Sequence, residues 1–291
     1  MSGAVNGRTE GFVRIGGVVH HVVVEGAGPV CVLTPGLGMA WFDWDAVAAL
    51  LAPHRTVVRF DRPGLGLSAP AAVLPSLTGE ADRIARVLDA CGLDGPATVA
   101  GHSLGGFHAE AFARLHPART AGLVLIDSSV EPAARPRPAP ALHTGLTRVA
   151  ARVLAAAGVP RALGPAARRA VFRLARGGRA GDPAPYALVR RAYATSRSLR
   201  AVLAEYATYP DMAAQLACVR RQFTLPAELP VTVLAAGEGE SWLRRQRELA
   251  GALGAGLRLA AGAGHLVMLD RPGEVADAVL STSAPACHLR R

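Results

Sequence analysis

A serine flanked by glycines, in the run Gly101-His102-Ser103-Leu104-Gly105, is the residue most clearly placed to do chemistry. The apolar run before it predicts a strand over residues 97–100, and helical spacing resumes at Leu104, so the chain must turn sharply at the serine. A nucleophile held in such a turn has a strained backbone that neighbouring side chains would obstruct. The glycines remove that obstruction, so Ser103 is the candidate nucleophile. A plain glycine-rich turn after a buried strand is the alternative interpretation.

Three further segments join predicted strands to loops. Residues 30–38 are an apolar strand that runs into a glycine-rich loop, residues 61–68 form a second loop after a strand, and residues 262–272 carry His265. Together with the Ser103 motif, they resemble the α/β-hydrolase family, and the resemblance covers nearly the whole chain outside a middle segment. In the loop 61–68 we expect Asp61 and Arg62 to hold loops in place and assign them no chemistry.

The resemblance implies the chemistry of a serine hydrolase. Ser103 would attack a carbonyl carbon, and His265 would take its proton as general base, a role worth about a hundred- to ten-thousand-fold in rate. The backbone amides of Leu37 and Leu104 would form the oxyanion hole. The family usually has histidine before the first glycine of the oxyanion loop, whereas this chain has Pro35. Because the donor is a backbone amide, the hole can still form.

The acid of the triad has two candidate positions. In the family it follows either of two adjacent strands, and here Asp127 ends one predicted strand while Glu238 and Glu240 follow another. The later position is the commoner in the family, but its usual glycine-then-aspartate signature is not clean here. We therefore predict Asp127, which would orient and stabilise the imidazolium, with Glu240 as the alternative acid. A buried capping role at a strand end is the competing explanation for Asp127.

Eight predicted strands would position these residues: 11–17, 19–25, 30–34, 56–61, 97–101, 121–127, 231–236 and 256–261. After the first two, helical patterns alternate with strands, which indicates an α/β fold with a mostly parallel sheet covered on both faces. Because the candidate serine, acid and histidine each follow a strand, they would meet at the carboxyl edge of the sheet. Asp43 is predicted to cap a helix over 44–51, and Thr78 is predicted to cap a helix that reaches Ala90.

Residues 131–229 interrupt this alternation. Helices are predicted over 149–157, 166–175, 186–206 and 211–223, and residues 131–140 are too rich in proline for a helix. The segment resembles the inserted helical cap of the family. We therefore predict a core of residues 1–130 and 230–291 with a cap over 131–229.

The formal net charge of +10 would by itself suggest a nucleic-acid or anionic-membrane partner. Every basic residue is an arginine, and the arginines of the cap recur along helices that also present apolar residues, which favours a solvated helical face. That pattern holds for Arg168, Arg169, Arg190 and Arg191. We therefore expect no nucleic-acid partner, and an anionic substrate stays an open alternative.

Cysteine and histidine usage indicates a reduced protein without a metal. The four cysteines have no C-x-x-C pair, which is typical of the cytosol; they are Cys31, Cys91, Cys218 and Cys287. His20 and His21 point to opposite faces of a strand and cannot share an ion. Arg8 and Glu10 stand where a signal peptide would be apolar, and no apolar run is long enough to span a bilayer. We expect a cytoplasmic protein without a cofactor, and a disordered tail after Ser281.

These expectations converge on a cofactor-independent serine hydrolase. It would cleave an ester, or a lactone, thioester or amide, of a small apolar substrate through an acyl-enzyme. Two alternatives stay open, since fold does not dictate reaction. One is a non-hydrolytic enzyme, such as a lyase or cyclase, or a C–C bond hydrolase or cofactor-free oxygenase with the same triad. The other is a ligand-binding protein with slow turnover.

Overall fold

A mixed sheet of eight strands forms the centre of the molecule, in a computed structural model that describes residues 7–178, 180–237 and 239–282. The strands are β1 (Thr9–Ile15), β2 (Val18–Glu25), β3 (Val30–Thr34), β4 (Thr56–Phe60), β5 (Ala97–His102), β6 (Thr120–Ile126), β7 (Val231–Ala236) and β8 (Gly256–Ala260). Each lies within two residues of its predicted bounds. The predicted strands are therefore confirmed. They form because runs of β-branched and apolar residues alternate with turn residues in this sequence.

The strand order is β1-β2-β4-β3-β5-β6-β7-β8. The pairs from β4 to β8 are parallel, and β2 pairs antiparallel with both β1 and β4. Parallel strands need crossover connections, which explains the helix after nearly every strand. The predicted α/β class with a mostly parallel sheet is confirmed.

Ten α-helices occur in the described part of the chain. They are α1 (Asp45–Leu51), α2 (Leu77–Ala90), α3 (Leu104–Leu115), α4 (Pro140–Ala156), α5 (Val159–Ala175), α6 (Tyr186–Tyr193), α7 (Ser196–Gln222), α8 (Glu240–Leu253), α9 (Val267–Asp270) and α10 (Pro272–Ser281). Both predicted caps are wrong. The Ser76 side chain, not Thr78, caps α2 by accepting from the Gly79 amide at 3.2 Å. Asp43 lies in a short 3-10 helix and accepts from the Ala40 amide, so α1 begins after it.

Neighbouring residues of a strand face two helical layers. In β3, Cys31 and Leu33 pack in a cluster with residues of α1 and α10, whereas Val32 packs in a cluster with residues of α2 and α3. Because side chains alternate across a strand, a continuous apolar run such as β3 can face a helix on both sides. The sheet therefore has an apolar core on each face.

Helices α4 to α7 all lie in the connection between β6 and β7. The predicted break between 206 and 211 is wrong, since α7 continues through Pro210 as one helix of 27 residues. Its C-terminal half packs on the sheet side, where Met212, Leu216 and Val219 share an apolar cluster with α2 and α3. The predicted tail after Ser281, which contains Cys287, lies outside the described residues except for Thr282. Glu238 also lies outside them.

Arg168 of α5 departs from the predicted solvated face. Its side chain is buried, pairs with Asp43 at 2.6 Å and Asp182 at 2.8 Å, and lies over the Phe172 ring at 3.7 Å. A buried guanidinium requires such partners, because removing its charge from water is costly. The other three arginines of that prediction, Arg169, Arg190 and Arg191, are exposed.

Candidate active site

Ser103 lies in the turn between β5 and α3, where its backbone has a positive φ of 51° and a ψ of −121°. A side chain on Gly101 would place its Cβ 2.2 Å from the Gly105 carbonyl oxygen, and one on Gly105 would lie 2.4 Å from the Thr34 oxygen. No real Cβ fits at such distances, so both positions require glycine. The predicted strand, turn and helix around the serine are confirmed.

Asp127 and His265 are joined by a short hydrogen bond. The His265 Nδ1 atom lies 2.6 Å from Asp127 Oδ2. The other carboxylate oxygen, Oδ1, accepts from the Ala236 amide at 2.9 Å and from Trp242 Nε1 at 2.6 Å. The Asp127 side chain is 1% exposed and that of His265 is 38% exposed. A buried carboxylate thus orients an imidazole that reaches toward solvent.

The loop that carries His265 is tied to the end of β5. His102, the residue before Ser103, has its Nε2 atom 2.8 Å from the His265 carbonyl oxygen, and the two imidazole rings are 4.7 Å apart. Burial lowers the pKa of His102 to about 3, so this ring is neutral and donates its Nε2 proton to the carbonyl. The Ser103 hydroxyl is half-buried and makes no hydrogen bond within the described ranges. Ser103 therefore lies next to the histidine loop, and its hydroxyl is unpaired.

The backbone amides of Leu37 and Leu104 are the predicted oxyanion donors. Leu104 is the first residue of α3, where helical amides have no acceptor in their own helix. Across the part of the chain that the structure describes, neither amide donates to another residue. Both donors are therefore free for an acceptor outside the chain, and the positive end of the α3 dipole would favour an anionic one.

The loop around Leu37 is held by a buried ion pair. The Arg62 guanidinium donates to the carbonyl oxygens of Pro35 at 2.5 Å and Gly36 at 2.7 Å, and it pairs with Glu205 of α7 at 2.5 Å. Glu205 also accepts from the Gly38 amide at 2.8 Å. Although burial opposes it, the Glu205 carboxylate raises the pKa of Arg62, so the guanidinium stays charged. The expectation that Arg62 holds a loop is confirmed.

Glu240, the alternative acid, is not brought to His265. It is the exposed first residue of α8, and the partner of His265 Nδ1 is Asp127. Glu238 is one of the residues outside the description. The geometry therefore favours Asp127 as the partner of the imidazole.

Two residues of the site were missed at the sequence level. Glu205 is 143 positions from Arg62, and a glutamate on a helix usually faces water, so nothing in its neighbourhood marks it as buried. Trp242 stands in a charged stretch of α8, where an isolated tryptophan was a signal that could have been used. A buried or half-buried tryptophan usually needs a partner for its N–H group.

The eight-stranded sheet and the strand-end site define a hydrolase-type α/β protein. Residues 31–278 match the model of the alpha/beta hydrolase family, and the chain belongs to this family. No helix in the described ranges is long and apolar enough to cross a bilayer.

The chain is also similar to curated relatives over part of its length and to a solved structure over nearly all of its length. A stretch of 113 residues is 37% identical to polyketide synthase ThaQ of Burkholderia thailandensis, over 39% of this chain and 5% of that protein. A stretch of 126 residues is 33% identical to 2-hydroxy-6-oxo-2,4-heptadienoate hydrolase of Pseudomonas putida, over 42% of this chain and 45% of that protein. The chain therefore spans less than half the length of each of these curated relatives. The crystal structure of Cfl2 from Burkholderia cenocepacia is similar with a TM-score of 0.74, 25% identity and 96% coverage of both chains.

Proposed function

We propose that this chain is a cofactor-independent serine hydrolase that cleaves an ester of a small apolar substrate through an acyl-enzyme. Lactones, thioesters and amides belong to the same carbonyl chemistry. The observation that carries the proposal is the hydrogen-bonded pair Asp127–His265, attached through His102 to the turn that holds Ser103. This is the set of groups that activates a serine hydroxyl.

The proposed reaction has two halves. Ser103 Oγ attacks the carbonyl carbon while its proton passes to His265 Nε2, and Asp127 stabilises the imidazolium. The oxyanion of the tetrahedral intermediate accepts from the Leu37 and Leu104 amides, and each such donor is worth roughly 2.7–4 kcal/mol of barrier. The imidazolium gives its proton to the leaving alcohol as the ester bond breaks. Water then attacks the acyl-serine, with His265 again as base, and releases the acid.

We also propose that residues 131–229 act as a cap over a core of residues 1–130 and 230–291. Contacts from this segment to both site loops support the idea. Tyr193 donates its hydroxyl to the Gly38 carbonyl at 2.8 Å, and the Ala175 carbonyl accepts from the His265 amide at 2.8 Å. A segment that touches the oxyanion loop and the histidine loop is well placed to shape the substrate pocket.

A C–C bond hydrolase is the second candidate function. The partial match to 2-hydroxy-6-oxo-2,4-heptadienoate hydrolase favours it, and the same serine, histidine and aspartate would serve. For either reaction we propose a cytoplasmic setting. The free thiols of Cys31, Cys91 and Cys218 support a reducing compartment.

Covalent labelling and ester turnover test the proposal together. A fluorophosphonate probe should label wild type at Ser103 and leave Ser103→Ala unlabelled. On p-nitrophenyl esters we expect Ser103→Ala and Asp127→Asn to lower kcat by at least about a thousandfold. Glu240→Gln is the matched control for the acid and should stay within about twofold.

Other results have distinct meanings. Absence of labelling in a folded protein would contradict the serine mechanism. A large loss in Glu240→Gln with normal turnover in Asp127→Asn would move the acid to the later loop. A burst without turnover would indicate a slow ligand-binding protein, and turnover of a vinylogous diketone but of no ester would favour the C–C bond hydrolase.

A further inference from the structure

A cavity of about 320 Å³ lies between the loop 62–75 and helices α4 and α7. Its lining does not include Ser103, Asp127 or His265, but it shares Arg62 and Glu205, the ion pair that holds the oxyanion loop. Arginine dominates its charged lining, which consists of Arg62, Arg83, Arg148, Arg152, Arg197, Arg200, Glu80 and Glu205. The positive side chains exceed the negative ones by four.

Both glutamates of the lining are already paired. Glu80 binds Arg83 at 3.0 Å, and Glu205 binds Arg62 at 2.5 Å. The other four arginines make no ion pair with any residue in 7–178, 180–237 or 239–282; they are Arg148, Arg152, Arg197 and Arg200. Their charges face the cavity region without a compensating carboxylate.

Arg197 shows this lack of compensation most clearly. One of its terminal nitrogens, Nη2, donates to the Gly66 carbonyl at 2.6 Å, but its Nε atom is buried and has no hydrogen-bond partner. Burial lowers the pKa of Arg197, and the field of Asp61 only partly opposes this effect. An unsatisfied buried donor is unfavourable, so the chain leaves part of the hydrogen-bonding capacity of this guanidinium unused.

The placement of these arginines is unfavourable for the helices that carry them. Arg148 and Arg152 are four residues apart on α4, and Arg197 and Arg200 are three apart on α7, so like charges are neighbours on each helix surface. Arg197 also lies in the first turn of α7, where the helix dipole disfavours a cation. No acidic residue offsets it in that turn. A bound anion would relieve each of these repulsions.

We propose that this cavity is a second binding site, which holds the phosphoryl or carboxylate group of a small anionic ligand through Arg148, Arg152, Arg197 and Arg200. The guanidinium group suits this task because its planar fork can donate two parallel hydrogen bonds to one phosphate or carboxylate. Most of the remaining lining is small and apolar, from Pro70, Val73, Leu74, Ala151 and Ala201 among others, and would contact an apolar body attached to the anion. Hydroxyl groups also line the cavity, from Thr144, Thr147 and Ser196.

Calorimetric titration at fixed ionic strength tests the site. The probes are pyrophosphate, octyl phosphate, succinate and octanoate, with octanol as the uncharged analogue of the octyl compounds. The test variant is the triple substitution Arg148→Gln, Arg152→Gln and Arg200→Gln. The control is Arg169→Gln, Arg190→Gln and Arg191→Gln, which removes the same charge from exposed sites on α5 and α6. Because the six residues are exposed, both triple variants should fold, and their melting temperatures check this.

We expect wild type and the control to bind at least one anion with the same Kd, and the test variant to bind it at least about tenfold more weakly. Octanol should not bind in any of the three proteins at the same concentration. The class that binds more tightly, phosphates or carboxylates, identifies the chemical source of the anion. Equal affinity in the two triple variants, or no binding of any anion by wild type, would overturn the proposal. The experiment does not measure ester turnover, so it succeeds or fails separately from the proposed hydrolase function.

Discussion

Ser103 and Asp127 share an unusual backbone conformation, with φ angles of 51° and 41°. Residues other than glycine rarely adopt such angles, and each instance costs about 1–3 kcal/mol that the surroundings must supply. Here hydrogen bonds supply it: the Ser103 amide donates to the Ile126 carbonyl at 3.2 Å, and the Asp127 amide donates to Leu234 at 2.7 Å. The ends of β5, β6 and β7 therefore hold each other in place where the candidate site lies.

Trp242→Phe isolates the hydrogen bond that orients Asp127. The change removes the indole donor 2.6 Å from Asp127 Oδ1 and leaves the Ala236 amide as the remaining donor to that oxygen in the described structure. We expect kcat on the best ester to fall about tenfold with KM within twofold.

Trp44→Phe is the matched control, since Trp44 Nε1 is buried and makes no hydrogen bond to the described residues. It removes an indole without removing such a bond, so its kcat should stay within about twofold of the wild-type value. Equal kinetic effects of the two substitutions would show that Trp242 acts by packing alone.

Contacts between residues explain what the sequence could and could not predict about the site. Ser103, Asp127 and His265 were predictable as candidates because each follows a strand, and the ends of parallel strands meet at one edge. Glu205 was not predictable, since its partner Arg62 lies 143 positions away. Trp242 stood out only as an isolated tryptophan, and its partner Asp127 lies 115 positions away. No local pattern records such a contact.

At the scale of elements, the same contrast holds between strands and helix ends. The strands follow from apolar alternation and turn residues, and all eight were predicted within two residues. Helix ends depend on a single side-chain bond, so Ser76 and Thr78 were indistinguishable as caps until the Gly79 amide was located. Pro210 predicted a break in α7, but tertiary packing of Met212 and Leu216 keeps the helix continuous.

Glu205→Ala tests how α7 holds the oxyanion loop. It leaves the buried Arg62 guanidinium without its carboxylate and the Gly38 amide without its acceptor. We expect the free energy of unfolding, measured in urea, to fall by about 3–5 kcal/mol, with a lower kcat in the protein that stays folded. Glu205→Gln keeps an acceptor oxygen and should lose less.

Glu228→Ala is the control for Glu205→Ala, because it removes a glutamate that is exposed. It should change the free energy of unfolding by less than about 0.5 kcal/mol. Wild-type stability in Glu205→Ala would contradict the bracing role of the ion pair. A loss of stability with unchanged kcat would limit that role to the fold.

For the whole molecule, buried neutral histidines set the acid limit of stability. Burial lowers the pKa of His102 to about 3 and of His20 to about 4, and it lowers the pKa of His108 well below 6.5. Below about pH 6.5 the unfolded chain binds protons that the native state does not, so stability is fully present above that pH and is lost as pH falls toward the folded values. We expect urea unfolding between pH 7.5 and 4.5 to show a steady fall.

His108→Gln should reduce that fall by about 1.4 kcal/mol per pH unit below pH 6, the contribution of one buried histidine. His54→Gln is the control, because His54 is exposed, and it should keep the wild-type slope. An identical slope in wild type and His108→Gln would show that other groups govern acid unfolding.

The length of α7 matters for the proposed cap, because this helix reaches from the cap to the core. At 1.5 Å per residue, its 27 residues form a rod of about 40 Å. One half is anchored against α3, where Arg220 pairs with Glu110 at 2.6 Å, and the other half holds the loop around Gly38. Swinging this rod outward would disrupt both attachments at once. We therefore expect α7 to stay fixed to the core, so that any movement of the proposed cap would leave this helix in place.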